Sequence, residues 1–325
     1  KVAAARENIE LYDWARKQND DVIKKAEKYI GKEEILWQSV TTQELPRCVQ
    51  VGFPSDPGYA KCRYCGVDIT AKTGVRLNAW TTNALTQPWK VQCPLCKRRF
   101  PSNDFGGFYK LGLDENNVWS YELAKKRNAE LVAGGQDGYL KNILYPEKGE
   151  GWGVDDGFGY FTGKVHANGV VERHNYIAYY LHNALWYCNS PKYGSQTIRD
   201  ALWSLSKAYV YTGESKYARS GAILLDRIAD LYPDYKWEIW KTWRPDSYRG
   251  KILDSGWECQ LARDFIDAYD AFYPIYDDPY VINFLSDKAE KYNLSPKNTK
   301  QALTQNVENN ILRTVYNSAV DYEIG

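Results

Sequence analysis

Four cysteines in two matched pairs carry the clearest chemistry in this chain. The segments CRYCG and CPLCK set Cys62 with Cys65 and Cys93 with Cys96, each pair spaced C-x2-C, with 27 residues between the pairs. A C-x2-C turn aims both thiolates at one point, and two such turns complete the tetrahedral four-sulfur site that zinc takes. Four protein ligands leave no open position. The expected zinc is therefore structural: it folds a segment too small to bury its own core and takes no part in a reaction. Two disulfides are the competing reading, and a redox C-x2-C is disfavoured because two such pairs occur together. Seven cysteines is an odd number, and Cys48, Cys188 and Cys259 stay unmatched, which suits a metal plus free thiols better than a disulfide framework.

The chain's three histidines, His166, His174 and His182, fall within seventeen residues. On one helix, at roughly 1.5 Å per residue, His174 and His182 would stand about 12 Å apart, too far to share an ion. The segment ERHNYIAYYLHNALWYC, read as a helix, has an apolar stripe of Ile177, Leu181, Ala184, Leu185 and Cys188. Asn175, Tyr179, His182 and Trp186 form a second stripe on roughly the opposite side, suited either to lining a groove or to a polar contact between helices. A further candidate surface is YKWEIWKTWRPDSYRGK, with Trp237, Trp240, Trp243, Arg244, Tyr248 and Arg249. Its tryptophans recur at steps of three, and its arginines are able to grip carboxylates or sulfates with two parallel hydrogen bonds. The alternative is an inter-helix loop with buried tryptophans.

Composition narrows the partners. Forty-two basic residues against 41 acidic ones leave no nucleic-acid footprint. No run approaches the roughly 18 to 20 apolar residues that a membrane helix needs, so no membrane span is expected. Twelve Trp and 27 Tyr against 9 Phe suit a wet surface that stacks and hydrogen-bonds sugars, or else a helical core that favours Tyr. The chain has no Met and begins at Lys1, which fits removal of a signal peptide and a secreted or periplasmic location, with a cytoplasmic one as the alternative.

Helices must position these groups. Residues 1–47 have apolar positions at helical spacing, residues 48–110 form the cysteine module, and residues 133–170 are Gly-rich, a long loop that a compact domain keeps for a use. From about 171 onward helices return through 325. Ala208-Tyr209 and Ala268-Tyr269, sixty residues apart, each sit near the end of a helix that a turn joins to a second one. Such an internal helical-hairpin repeat predicts a mainly α fold, an α/α toroid or solenoid over residues 111–325 carrying a zinc-ribbon-like module.

LPR ahead of the cysteines, CPLCKRRFPSNDFGGFYKLG, and AYVYTGESKYARSGAILLDRIADLYPDY resemble the N-terminal region of heparinase II/III-like proteins. These are bacterial polysaccharide lyases with an α/α toroid followed by an antiparallel β-sandwich. The resemblance runs along most of the chain and implies an acidic polysaccharide as partner, cleaved by β-elimination beside its uronate carboxylate. It assigns Asn175 or Arg173 to the carboxylate, His174 or His182 to proton abstraction, and Tyr179 or Tyr180 to protonation of the leaving oxygen, with Trp186 and the 237–249 aromatics along the sugar chain. The β-sandwich is absent up to Gly325, and part of the active site is expected to follow that residue. Two other readings stand beside the lyase. A hydrolase would need two carboxylates, from Asp155, Asp156, Glu172 or Glu258; the other is a glycan-binding protein without turnover.

Overall fold

A computed structural model describes residues 2–40, 45–46, 51, 61–75, 79–165, 167, 169, 171–186, 198–234 and 256–321. It is mainly helical with small sheets. The chain divides into two compact units, one of Lys1–Thr41, Ile198–Pro233 and Arg249–Gly325, the other of Thr42–Thr197 and Asp234–Tyr248. This division differs from the expected segments 1–47, 48–110 and 111–325. The N-terminal helices belong with the late ones, and the cysteine module shares a unit with residues up to 197. No described helix is long and apolar enough to cross a membrane.

The first unit opens with α1 (Val2–Leu11), α2 (Asp13–Ala26) and α3 (Glu33–Ser39). The chain then builds the second unit. There α4 (Ile69–Thr73) precedes a three-stranded antiparallel sheet, β1 (Thr81–Asn83), β2 (Gln87–Gln92) and β3 (Arg99–Phe100), in that order. Next come α5 (Phe105–Leu111), capped by Asp104 through Gly107 N–H, and α6 (Tyr121–Ala133), capped by Ser120 through Leu123 N–H. A two-stranded ribbon of β4 (Tyr160–Val165) and β5 (Val171–His174) leads directly into α7 (Tyr176–Leu181), which widens into a π-helical turn over His182–Trp186.

Tyrosine does two jobs in the core of this unit. Its rings interlock with Trp80, Phe100 and Trp152: Tyr176 stacks on Phe100 at 4.8 Å, and Tyr145 meets Trp152 edge-on at 5.5 Å. Its phenols also finish the sheet edges. The Tyr179 hydroxyl accepts from Trp80 N–H and donates to Trp80 C=O, both at 3.0 Å. Tyr145 does the same for Arg99 on edge strand β3, both at 2.9 Å. A Phe in either place would leave two backbone groups unpaired, at about 1–3 kcal/mol each. The Gly-rich stretch is tied down in the same way by buried polar side chains. Asn103 bridges Tyr139 C=O and both backbone groups of Asp155, and Asn142 binds Tyr145 C=O and Gly149 C=O.

The first unit resumes with two helix–turn–helix pairs, α8 (Ile198–Thr212) with α9 (Ser215–Leu231), and α10 (Gly256–Phe272) with α11 (Pro279–Lys291). The first pair closes on itself as a hairpin; in the second, α10 packs on α8 and α9, and α11 packs on α9 rather than on α10. Gly213 takes φ 76° in the first turn, and Asp278 with Pro279 caps the start of α11. Helices α12 (Lys300–Val307) and α13 (Thr314–Asp321), joined by a π-helical stretch over Glu308–Arg313, complete it. Helix α9 is buried along nearly its whole length between α3, α8, α10, α11 and α12. Gly221 lets Phe272 approach so closely that a Cβ there would lie 2.1 Å from the ring. Two carboxylates on α9 share one cation: Lys297 Nζ lies 2.6 Å from both Asp226 and Asp230, and Asn306 donates to both.

Candidate metal centre and the ribbon beside it

Two knuckles of matching design hold the cysteines. Cys62 N–H bonds Val67 C=O and Gly66 N–H bonds Cys62 C=O; Cys93 N–H bonds Arg98 C=O and Lys97 N–H bonds Cys93 C=O. The residue after each second cysteine is left-handed, Gly66 at φ 71° and Lys97 at 61°, which curls the backbone around the sulfurs. Strands β2 and β3 enter and leave the second knuckle, and the short helix α4 follows the first.

All four sulfurs lie within 4.8 Å of one another, with Cys62 Sγ 3.7 Å from Cys96 Sγ. Thiolates at about 2.3 Å from a tetrahedral ion stand about 3.8 Å apart, so the donor set fits a metal ion. The four are free thiols rather than two disulfides. Cys62 and Cys93 do not ionise together. The Cys62–Cys93 hydrogen bond pulls the Cys93 thiol down to about 5 and pushes that of Cys62 up, while burial pushes Cys96 up. A cation at the centre lets all four ionise. Cys62 and Cys93 are fully buried and Cys65 and Cys96 half-buried. Among the other cysteines, Cys259 is exposed, and Cys48 and Cys188 lie outside the described residues.

Arg63 lies between the two cysteines of the first knuckle and points away from them. Its guanidinium sits 4.5 Å from the Tyr160 ring and donates to the Tyr160 hydroxyl at 2.8 Å. Tyr160, on β4, is the register partner of His174 on β5, so their side chains share one face of the ribbon. The His174 ring stacks on Tyr176 at 5.7 Å. Burial, and then the nearby Arg63 charge, push its pKa down to about 4, so the imidazole is neutral at pH 7. His174 Nδ1 is buried without a hydrogen-bond partner. Among the described residues no carboxylate pairs with Arg63. Sequence reasoning missed Arg63 and Tyr160. The only local signal was an arginine inside a C-x2-C, since the ribbon pairing is set by residues far along the chain.

Other expected site residues are placed differently. Arg173 and His174 are in a strand, not on a helix, and α7 begins only at Tyr176. Every residue of α7 is buried, so it has no groove face. Tyr179 is spent on the Trp80 backbone, and Tyr180 packs on Trp89 at 5.7 Å, with burial pushing its pKa up. His182 is 2 % exposed. None of these three meets solvent as an acid or base must. Asn175 occupies the N-cap position of α7 without a side-chain cap bond, beside Gly159, and Arg173 is exposed and donates to Gly159 C=O at 2.9 Å. The backbone of Trp186 closes the π turn, and its side chain lies outside the described residues. Trp237, Trp240, Trp243, Arg244, Tyr248 and Arg249 lie outside them too, as does the Glu258 side chain.

The remaining carboxylates are occupied. Asp155, fully buried, accepts from the N–H groups of Gly157, Gly159 and Ile177, and burial raises its pKa to about 6. It caps α7 from 22 residues away. Asp156 accepts from the Tyr121 hydroxyl at 2.5 Å, and Glu172 pairs with Lys164 at 3.2 Å. No family model, no curated protein and no solved structure matches this chain, and the chemistry of the site is argued from its own geometry.

Proposed function

We propose that the protein is a polysaccharide lyase that cleaves a uronic-acid-containing chain by β-elimination at the Arg63–Tyr160–His174 cluster. The observation that carries this reading is Arg63: a guanidinium with no described carboxylate partner, bonded to a phenol whose register partner is a neutral imidazole. β-Elimination needs those three groups. A cation over the uronate carboxylate spreads the charge that develops when the neighbouring carbon loses its proton. His174, neutral at pH 7, takes that proton, and a bound carboxylate opposing Arg63 raises the basicity of the ring toward its ordinary value. Because Tyr160 accepts from Arg63, its own O–H is free to protonate the leaving glycosidic oxygen. One C–H bond and one C–O bond break, one C=C bond forms, and the proton count balances between His174 and Tyr160.

The ion that fits the four thiolates is zinc, held by Cys62, Cys65, Cys93 and Cys96 and coordinatively closed. Its contribution is to hold the knuckle on which Arg63 sits. In this reading the α8–α9 and α10–α11 helix pairs are successive repeats of an α/α toroid.

The test uses the full-length protein on heparosan, hyaluronan, alginate and gellan, followed by ultraviolet absorbance of the unsaturated product. Turnover is expected on at least one polymer, and Tyr160→Phe or His174→Ala is expected to lower it by about a hundredfold or more. Full turnover in both variants would overturn the assignment.

A further inference from the structure

The lyase reading leaves a second group of cations unused. Arg98, two residues after Cys96, lies with its guanidinium 4.4 Å from the Tyr64 ring and 5.7 Å from that of Tyr145. The Lys148 ammonium lies 5.4 Å from the same Tyr64 ring. Both cations are exposed, and among the described residues neither pairs with a carboxylate. The group is continuous with the first cluster. Tyr64 meets Trp152 at 6.2 Å, and Trp152 lies 5.8 Å from the Arg63 guanidinium. Rings and cations therefore alternate from Lys148 and Arg98, across Trp152, to Arg63 and Tyr160.

A guanidinium lying over an aromatic ring is held in orientation while its N–H edges stay free for an anion. Half-buried tyrosine and tryptophan rings beside it offer apolar faces and polar edges, which suit a sugar ring. One cationic cluster binds one acidic sugar; two joined by a ring strip suit a polymer that carries repeated negative charge. A duplex nucleic acid would want many more phosphate contacts, and the chain as a whole carries a net charge of only +1.

We propose that Arg98, Lys148 and Tyr64 form a second anionic-sugar subsite, so that the protein engages an acidic polysaccharide over several sugars rather than a single uronate. The inference rests on the lyase reading only for the reaction at Arg63; the binding stands apart from it. A competing role for Arg98 is to offset the net negative charge of a divalent ion bound by four thiolates, and the test separates the two.

The experiment is calorimetric titration of the metal-loaded protein with hyaluronan and heparosan oligosaccharides of two lengths, a disaccharide and an octasaccharide, at low and moderate salt. Metal content is measured alongside. For Arg98→Ala/Lys148→Ala the expected result is octasaccharide binding weakened about tenfold or more, unchanged disaccharide binding and unchanged metal content. Arg98→Lys/Lys148→Arg, which keeps the charges, is expected to recover most of the affinity. Octasaccharide binding equal to the parent's, loss of metal in place of loss of affinity, or a single-stranded RNA of equal charge binding more tightly than the glycan would each overturn the subsite. Turnover with no effect of the variants sinks the subsite and leaves the lyase; length-dependent binding without turnover keeps the subsite and sinks the lyase.

Discussion

Tyr160 and His174 face each other in register across the β4–β5 ribbon, and the guanidinium of Arg63, carried by a cysteine knuckle 97 residues before Tyr160, bonds the tyrosine's hydroxyl. Two distant segments thus meet at one point, a cysteine knuckle and a ribbon.

Arg63 is the group whose loss should cost most in turnover. Arg63→Ala is expected to lower kcat/KM by about a hundred- to a thousandfold, the usual scale for removing a charge that stabilises a developing anion. Arg63→Lys should recover only part of this, because an ammonium cannot bond a carboxylate and the Tyr160 oxygen in one plane. Steady-state kinetics with metal analysis of each variant checks it, and metal content should stay at the parent's level.

Removing the metal should unfold the knuckles and leave helices α8 to α11, which belong to the other compact unit. One zinc per chain is expected by metal analysis. Strong chelation should shift Trp fluorescence, since Trp152 meets Tyr64 of the first knuckle and both Trp80 and Trp152 pack on Phe100 of β3, which leaves the second, with a smaller loss of far-ultraviolet helix signal. Reloading should release protons, because thiols bind as thiolates. Cys93→Ser should reproduce the chelated state.

His174 gives a pH signature. Its folded pKa, about 4, lies below the ordinary value of 6.5. Its contribution to stability is therefore fully present above about pH 6.5 and is lost as pH falls toward 4. In proton NMR the His174 signal should remain that of a neutral ring at pH 5, and His174→Gln should remove it and flatten the acid limb of a stability–pH curve. A uronate oligosaccharide should move that titration upward.

Lys297 is 2 % exposed and stands between Asp226 and Asp230. Lys297→Met leaves two buried carboxylates without their cation and is expected to cost about 3–5 kcal/mol in urea unfolding. Restoring neutrality with Asp226→Asn in the same chain should recover part of that loss. A loss below about 1 kcal/mol would show that the cluster is solvated.

The sequence was most readable where the information is local. Both knuckles follow from C-x2-C spacing, and the helices on either side of Gly213 and of Asp278-Pro279 from helical periodicity, although only α8 and α9 close into a hairpin. It misled where burial is long-range. Helix α7 is apolar on all sides because Tyr179 hides its hydroxyl on a backbone 99 residues away, so a polar stripe was no guide to solvent. Two of the tyrosines show why Tyr is used where Phe would fill the space: Tyr145 and Tyr179 each serve both backbone groups of one residue in or next to a strand, which Phe cannot do. Asp155 looked catalytic beside the Gly-rich loop and instead binds three amides within the core. Arg63 and Tyr160 had no pattern to announce them, since only the folded ribbon makes them neighbours.

The most direct test of the central assignment counts two products of one digestion. On a uronate polymer, new double bonds are read by ultraviolet absorbance and new reducing ends by a colorimetric assay, for the parent and for Arg63→Ala. The account predicts one double bond per new reducing end in the parent and neither in the variant. Reducing ends without double bonds, or equal yields from the parent and Arg63→Ala, would contradict it.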